Sequence, residues 1–407
     1  MQKDSRILTI PVIVASLGYF VDIYDLVLFS IVRKLSLKAL GLNPEQIEHS
    51  GLWLLNIQMI GMLIGGIFWG VLGDKKGRLS VLFGSIILYS VANILNAYVT
   101  NVTEYGILRF IAGIGLAGEL GAGITLVAES LPKEKRGWGT TIVATVGVSG
   151  AMFASFMGIY FQDWKLCYIV GGVLGLCLLL LRIGVFESGM YQLAKEKANS
   201  LGSLKLLFLS KARLVTYLHC ILIGLPIWYC IGILVTLSPE LGKELGIIGI
   251  IEPPKSILYC YAGVTLGDLS SGIWSQIIQS RKKILQYYIA ATMLMVIAYF
   301  CMANRTVQEF YFLFTALGFA AGYWAVLISS AAEQFGTNIR ATVTTSVPNF
   351  IRASLIPITL LYIFFQWTGI TKLNSALVTG IICCALAFYG ATKLHESFHK
   401  DLDYQEE

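Results

Sequence analysis

The chain has 407 residues, of which 56% are hydrophobic and 13% are charged, and its formal net charge is +6. The charged share is about half of the roughly 25% that is usual in soluble proteins. This composition excludes a soluble enzyme, a disordered chain and a nucleic-acid-binding protein. Because the basic residues lie in short loops between long apolar runs, we predict an all-α polytopic membrane protein.

Twelve apolar runs reach the roughly 20 residues that a helix needs to cross a bilayer. We predict spans 1 to 12 at residues 7–32, 50–72, 80–100, 104–128, 139–161, 165–186, 214–238, 256–278, 284–303, 308–332, 341–366 and 373–392. No segment alternates with the period of two that a membrane barrel requires. Most lysines and arginines fall in loops on the side of the N-terminus, so both termini are predicted to be cytoplasmic. The eight cysteines lie in spans and lack the spacing of metal ligands.

The chain divides into two halves that repeat each other weakly. We expect a six-helix bundle at residues 1–186, a cytoplasmic linker at 187–213, a second bundle at 214–393 and a cytoplasmic tail at 394–407. Trp69 and Trp274 precede corresponding inner loops, 205 residues apart. The segment 128–141 is echoed by 332–345, so that Glu129 with Arg136 corresponds to Glu333 with Arg340. A repeat of six plus six spans is typical of alternating-access transporters, whose substrate site lies at the midplane between the halves.

Ionisable side chains within the first-half spans are costly and are therefore candidates for function. Asp22 and Asp25 are three residues apart on span 1 and share a helical face. Arg109 and Glu119 lie on adjacent faces of span 4, and we expect Arg109 to pair with a carboxylate of span 1. We expect Arg182, near the inner end of span 6, to extend toward the membrane surface.

The second half offers fewer charges. Asp268 lies on span 8 beside Thr265 and Ser271, and Arg352 lies on span 11 after Asn349. These residues mark a polar lining. Two readings stay open for them, a structural Asp268–Arg352 ion pair and direct contact with a substrate.

The loop after span 2 reads GVLGDKKGRLSVL, at residues 70–82. It resembles the signature that follows the second helix in the major facilitator superfamily. Span 4, RFIAGIGLAGELGAGITLVAES at 109–130, is similar to that of the metabolite:proton symporter family, a relative of the sugar porters. Span 1, GYFVDIYDLVLFS at 18–30, also resembles that family, with Ile23 where an aromatic residue is usual.

The resemblance implies roles for several of these residues. Asp25 matches the carboxylate that carries the coupling proton, Arg109 its partner on span 4, and Glu119 the glutamate of span 4. Asp74 and Arg78 would form inner-face ion pairs with charges near Glu129 and Arg136, which hold the halves together when the outside is open. Glu333 and Arg340 are the candidates for the same gating role in the second half.

We therefore expect a proton-coupled symporter of the inner membrane that imports an organic acid, an amino acid or an osmolyte. It needs no cofactor besides the proton, and its partners are the small-molecule substrate and the lipid bilayer, not nucleic acid; we expect a monomer. The candidate proton-coupling residues are Asp25, Arg109, Asp22 and Glu119, and the candidate substrate contacts are Arg109, Glu119, Asp268, Arg352 and Asn349. Two alternatives stay open: a proton-coupled antiporter that exports drugs or metabolites, whose span 5 would carry a proline that this chain lacks, and a sensor that binds a solute without moving it.

Overall fold

The computed structural model describes residues 8–76, 78–121, 123, 127, 131, 133–186 and 210–398. Within these ranges the chain is almost wholly helical, and its β-structure is one isolated bridge between Ile248 and Thr306. We call residues up to 186 the first half and residues from 210 onward the second half.

Helices of the first half are α1 Ile10–Ala39, α2 Pro44–Lys76, α3 Arg78–Asn96, α4 Val102–Leu116, α5 Lys133–Phe161 and α6 Trp164–Phe186. Helices of the second half are α7 Lys211–Tyr229, a π-helix at Cys230–Val235, α8 Ser238–Glu244, α9 Pro253–Ile278, α10 Arg281–Phe300, α11 Val307–Ala321, α12 Trp324–Glu333, α13 Thr337–Ala353, α14 Leu355–Trp367 and α15 Lys372–Lys393.

The helices match the predicted spans in order. In the described part of the chain, nine helices are long and apolar enough to cross a membrane by length and composition. Together with α3, α4 and α9 they account for the twelve spans. Several boundaries differ from the prediction: α1 continues to Ala39, α2 begins at Pro44, and α7 begins at Lys211, inside the predicted linker.

Matching helix starts support the repeat between the halves. Asn101 caps α4 by accepting the backbone N–H of Glu104, whose carboxylate accepts from the backbone N–H of Thr100. Thr306 and Glu309 form a reciprocal capping box at the start of α11. The two glutamates are 205 residues apart, the same offset as that of the two repeated tryptophans.

Glycines allow backbones of neighbouring helices to approach closely. A Cβ on Gly113 of α4 would collide with the carbonyl oxygen of Gln58 on α2, and one on Gly263 of α9 would collide with that of Thr315 on α11. Such small-residue contacts are the usual means of packing helices in lipid. The two halves meet through α2 against α13 and α5 against α9.

Three spans of the second half are interrupted, although the sequence analysis predicted continuous helices. Pro226 lies inside α7, which passes into the π-helix; proline removes a backbone donor and so disturbs the regular ladder. Span 10 breaks at Gly322 and Tyr323, between α11 and α12. Span 11 breaks at Ser354, between α13 and α14.

Candidate functional site

A buried ion pair joins the two halves near the middle of the molecule. Arg352 Nη2 of α13 lies 3.0 Å from Asp22 Oδ2 of α1, and both side chains are fully buried. Tyr19, one turn before Asp22, lies within electrostatic range of both groups. Arg352 does not pair with Asp268, so that reading of the sequence is wrong. Because the partners are 330 residues apart, their pairing depends on how α1 packs against α13.

Asp25 lies one turn farther along α1 and is fully buried. Neither of its carboxylate oxygens has a hydrogen-bond partner among the described residues. A Cβ on Gly171 of α6 would collide with Asp25 Oδ1, so the glycine provides the space that this carboxylate occupies. Asp25 is therefore a buried acid held by packing and by long-range charge.

Arg109 of α4 provides that charge without touching the carboxylate. Its positive charge acts on Asp25 through Coulomb attraction. Its Nη2 donates to Asn93 Oδ1 at 2.7 Å, its Nη1 donates to Gln58 Oε1 at 3.4 Å, and its guanidinium carbon lies 5.1 Å from the ring centre of Tyr168. The expected direct ion pair with span 1 is wrong for this conformation, because neutral amides take the donors of Arg109.

Glu119 belongs to a second buried ion pair. Arg182 of α6 contacts both of its carboxylate oxygens, with Nη1 3.1 Å from Oε2 and Nη2 against Oε1. Both side chains are 1% exposed. The expectation that Arg182 reaches the membrane surface is therefore wrong, because a bidentate carboxylate partner satisfies its charge inside the bundle. A Cβ on Gly18 of α1 would collide with both partners, so α1 packs directly on the pair.

Asp268 of α9 is bound to a broken helix instead of a cation. Its Oδ1 accepts the backbone N–H of Ala325 at 2.8 Å, in the first turn of α12. The side chain is fully buried, and Oδ2 has no partner among the described residues. The positive end of a helix stabilises a carboxylate at this position.

Asn349 also crosses between the halves. Its Nδ2 donates to the carbonyl oxygen of Ala117 at 2.8 Å and to that of Thr345 at 3.0 Å. Ala117 lies directly after the last residue of α4, where the helix is interrupted. Asn349 thus links two irregular helices and, like Asp22 and Arg352, lies at the interface.

These polar groups form one layer. Asp22, Asp268 and Arg352 each lie about 15 residues from a helix end, which is roughly 20 Å at 1.5 Å per residue. This depth is the midplane of a bundle that spans a bilayer about 30 Å thick. The layer can bind a charged solute, hold a proton and change its pairing when the halves move.

Only part of the predicted gate can be described. Asp74, Arg78, Arg136 and Arg340 lie in helices whose side chains at these positions are outside the described residues, and Glu129 lies outside them entirely. Glu333 pairs with Arg281 at 3.3 Å and accepts the hydroxyl of Ser397 at 2.7 Å. Sequence reasoning missed Arg281, although the repeat placed it in the loop that matches residues 70–82.

The C-terminal segment binds the same loop. The carboxylate of Glu396 accepts the hydroxyl of Ser280 and the backbone N–H of Arg281, the latter at 2.9 Å. Burial opposes ionisation of Glu396, but the hydrogen bonds from Ser280 and from the backbone hold its pKa below the usual value. The start of the predicted cytoplasmic tail is thus part of the folded second half.

A second set of cross-half ion pairs lies at the end remote from the chain termini. Arg33 Nη2 of α1 is 2.9 and 3.0 Å from the two carboxylate oxygens of Glu240 and 3.1 Å from the carbonyl oxygen of Thr236. Lys372 Nζ is 2.7 Å from Glu48 Oε2. We call Arg33, Glu240 and Thr236 the remote clasp. The sequence analysis missed it because these charges lie at predicted span ends, where exposed loop residues are usual.

Known proteins resemble the chain along most of its length. The sequence profile of the Major Facilitator Superfamily matches residues 15–353. A NiaP protein of Bacillus subtilis (strain 168), named for niacin/nicotinamide transport, is 28% identical over 346 residues, 81% of each chain. The benzoate transport protein of Acinetobacter baylyi (strain ADP1) is 29% identical over 194 residues, which is 46% of this chain and 41% of that protein.

The fold has a solved counterpart. The structure of the proton:xylose symporter XylE bound to 6-bromo-6-deoxy-D-glucose superposes with a TM-score of 0.70 and 17% identity, covering 97% of both chains. The predicted all-α fold of two six-helix bundles is thereby confirmed. With the superfamily profile covering most of its length, the chain belongs to the Major Facilitator Superfamily and is a transporter, not an enzyme.

Proposed function

We propose that the protein imports a small organic acid together with a proton. The observation that carries this proposal is the pair of unsatisfied charges in the first half. Asp25 is a fully buried carboxylate without a hydrogen-bond partner in the described residues, and Arg109 is a fully buried cation bound only by neutral groups. Buried charges that lack close partners are costly, and a proton on the acid together with an anion on the arginine would satisfy both.

An aromatic acid is the substrate class that we favour. Relatives of the chain are named for the transport of niacin, benzoate and 4-hydroxybenzoate, which share a ring that bears a carboxyl group. A guanidinium binds a carboxylate through two parallel hydrogen bonds. Arg109 lies over the ring of Tyr168, so one location offers a cation and an aromatic surface. Such a pair suits a planar anion.

Coupling follows from the order in which charges are neutralised. A proton on Asp25 removes its attraction for Arg109 and leaves the guanidinium to the substrate. The Asp22–Arg352 pair connects this event to the second half, because it spans the interface between α1 and α13. Substrate and proton drive the rocking of the halves only through their different affinities for the two states.

The same proposal fixes the placement of the chain. We infer that residues 1–186 and 214–393 are the rocking units, in a monomer of the inner membrane with both termini in the cytoplasm. The basic loops near the termini support this orientation by the positive-inside rule. Fusion of a reporter that is active only in the periplasm to the C-terminus tests it, since activity of the reporter would contradict a cytoplasmic end.

Uptake by proteoliposomes tests the proposed function. With a pH gradient that is acidic outside, we expect the wild type to accumulate labelled benzoate or nicotinate above its external concentration. Asp25→Asn should abolish that accumulation and retain exchange of internal for external substrate, because Asn cannot carry the proton. Glu45→Gln, at an exposed carboxylate in the first turn of α2, is the matched control. Accumulation by Asp25→Asn would contradict the role of Asp25, and accumulation only with the reversed gradient would indicate export.

A further inference from the structure

Asp268 differs from the other buried acids of the core in its lack of a cation. Asp22 has Arg352 and Glu119 has Arg182, while Arg109 acts on Asp25. No ion pair of Asp268 exists in the described part of the chain, and its side chain is fully buried. Its negative charge is opposed only by the first turn of α12.

Neither protonation state of Asp268 is fully satisfied by its surroundings. In the ionised state, Oδ1 accepts the N–H of Ala325 and Oδ2 has no partner in the described residues. In the protonated state, a hydroxyl at Oδ2 would lack an acceptor. The indole Nε1 of Trp324, at the start of the same helix, is also buried without a partner in that part of the chain. Unsatisfied buried groups of this kind are expected at functional positions that change state.

We propose that Asp268 is a second proton-binding site, in which the proton competes with the first turn of α12 for the carboxylate. Ionised Asp268 holds the start of α12 against α9 through charge and helix dipole. Protonation weakens that hold at the break of span 10. Discontinuous helices at the midplane are where transporters bind ions and substrates.

The groups that face Asp268 define how it communicates with the rest of the core. Tyr19 of α1 and Tyr288 of α10 lie within electrostatic range, and Arg352 lies on the far side of Tyr19. Tyr19 therefore lies between Asp268 and the Asp22–Arg352 pair. A change of charge at Asp268 reaches the interface between the halves through this tyrosine. This step rests on the proposed function, whereas the proton site itself does not.

Infrared difference spectroscopy of the purified protein tests the site directly. Between acidic and alkaline buffer we expect a titrating C=O band of a protonated carboxyl that is absent from Asp268→Asn. The band should persist in Asp25→Asn and in Ser271→Ala, one turn along α9. Asn still offers an oxygen to the N–H of Ala325, so a role in capping alone would leave thermal stability and folding intact. A wild-type band pattern in Asp268→Asn would overturn the proposal.

A second variant covers failure of Asp268→Asn to fold. Asp268→Glu keeps an ionisable group on a longer side chain, so the band should move in frequency and midpoint. An unmoved band in Asp268→Glu would overturn the proposal as well.

Transport gives an independent measurement. With the membrane potential clamped at zero, the logarithm of substrate accumulation should rise with the pH gradient, with a slope that Asp268→Asn lowers by about one proton. An unchanged slope would contradict coupling through Asp268. If the wild type shows no gradient-driven accumulation, the proposed symport fails, and the infrared band still decides whether Asp268 binds a proton.

Discussion

The two halves begin corresponding helices alike but differ in their cores. Glu104 and Glu309 cap α4 and α11 in the same way. The core of the first half contains Asp22, Asp25, Glu119 and two buried arginines, on helices of which α1 and α6 are uninterrupted. The core of the second half has fewer charges, and three of its spans are interrupted.

This difference suggests a division of roles. Charges on continuous helices keep fixed positions and can bind a proton or an anion. Interrupted helices bend at defined points, since kinks occur at prolines, π-turns and glycines. We therefore regard the first half as the binding half and the second as the moving half, joined by Asp22–Arg352 and the remote clasp.

The largest effect is expected from breaking the first-half ion pair. Arg182→Leu leaves Glu119 buried and unpaired, which should lower the free energy of unfolding by about 3–5 kcal/mol. The double variant Arg182→Leu/Glu119→Leu should recover most of that loss in a thermal or denaturant melt. Arg305→Leu, in an exposed pair with Glu309, is the control, with a change below about 1 kcal/mol. A double variant as unstable as the sum of its singles would contradict the pairing.

The remote clasp tests the connection between the halves. Arg33→Gln removes charged hydrogen bonds worth about 1.5–3 kcal/mol, which should raise the rate of alkylation of Ser30→Cys, a position 5% exposed, about 10- to 100-fold. Lys34→Gln is the control, because its ammonium is 3.4 Å from Glu240 and 39% exposed. Equal rates in the two variants would argue against a clasp.

Gly322 tests the break in span 10. A Cβ there would lie 2.7 Å from the backbone nitrogen of Asp268 and from Gly267 Cα, so Gly322→Ala should destabilise the fold by about 1–3 kcal/mol. Gly70→Ala has no atom within 4 Å and should be neutral or slightly stabilising. A thermal melt in detergent compares the two. Equal stability of both variants would show that α9 and α12 are not in close contact.

The smallest effect is expected where the halves are alike. Backbone hydrogen bonds from Thr100 and Thr306 lower the pKa values of Glu104 and Glu309 from their ordinary value of 4.5. The ionised caps therefore stabilise the fold fully above that value, and the contribution is lost as the pH falls through the lower pKa of the folded state. Glu104→Gln and Glu309→Gln should reduce this acid sensitivity slightly and equally in melts at a series of pH values. A clear difference between them would contradict equivalent caps.

Much of the fold could be predicted because it follows from local chemistry. Long apolar runs specify helices wherever backbone groups must be satisfied inside lipid, and the repeated residues after Trp69 and Trp274 indicated two related halves. The interruptions were harder to predict. Pro226 is a visible signal in the sequence, whereas the break at Gly322 depends on the close contact of α9 with span 10.

The sequence by itself determined which charges are buried, because an ionisable residue in a 20-residue apolar run has no route to water. Only the tertiary structure decided their partners. Helical periodicity places Asp22 and Asp25 on one face of α1, but it does not specify which helix packs there. The packing gave Arg352 to Asp22, Arg182 to Glu119 and a helix terminus to Asp268. Such pairings depend on distances between helices that are far apart in the chain.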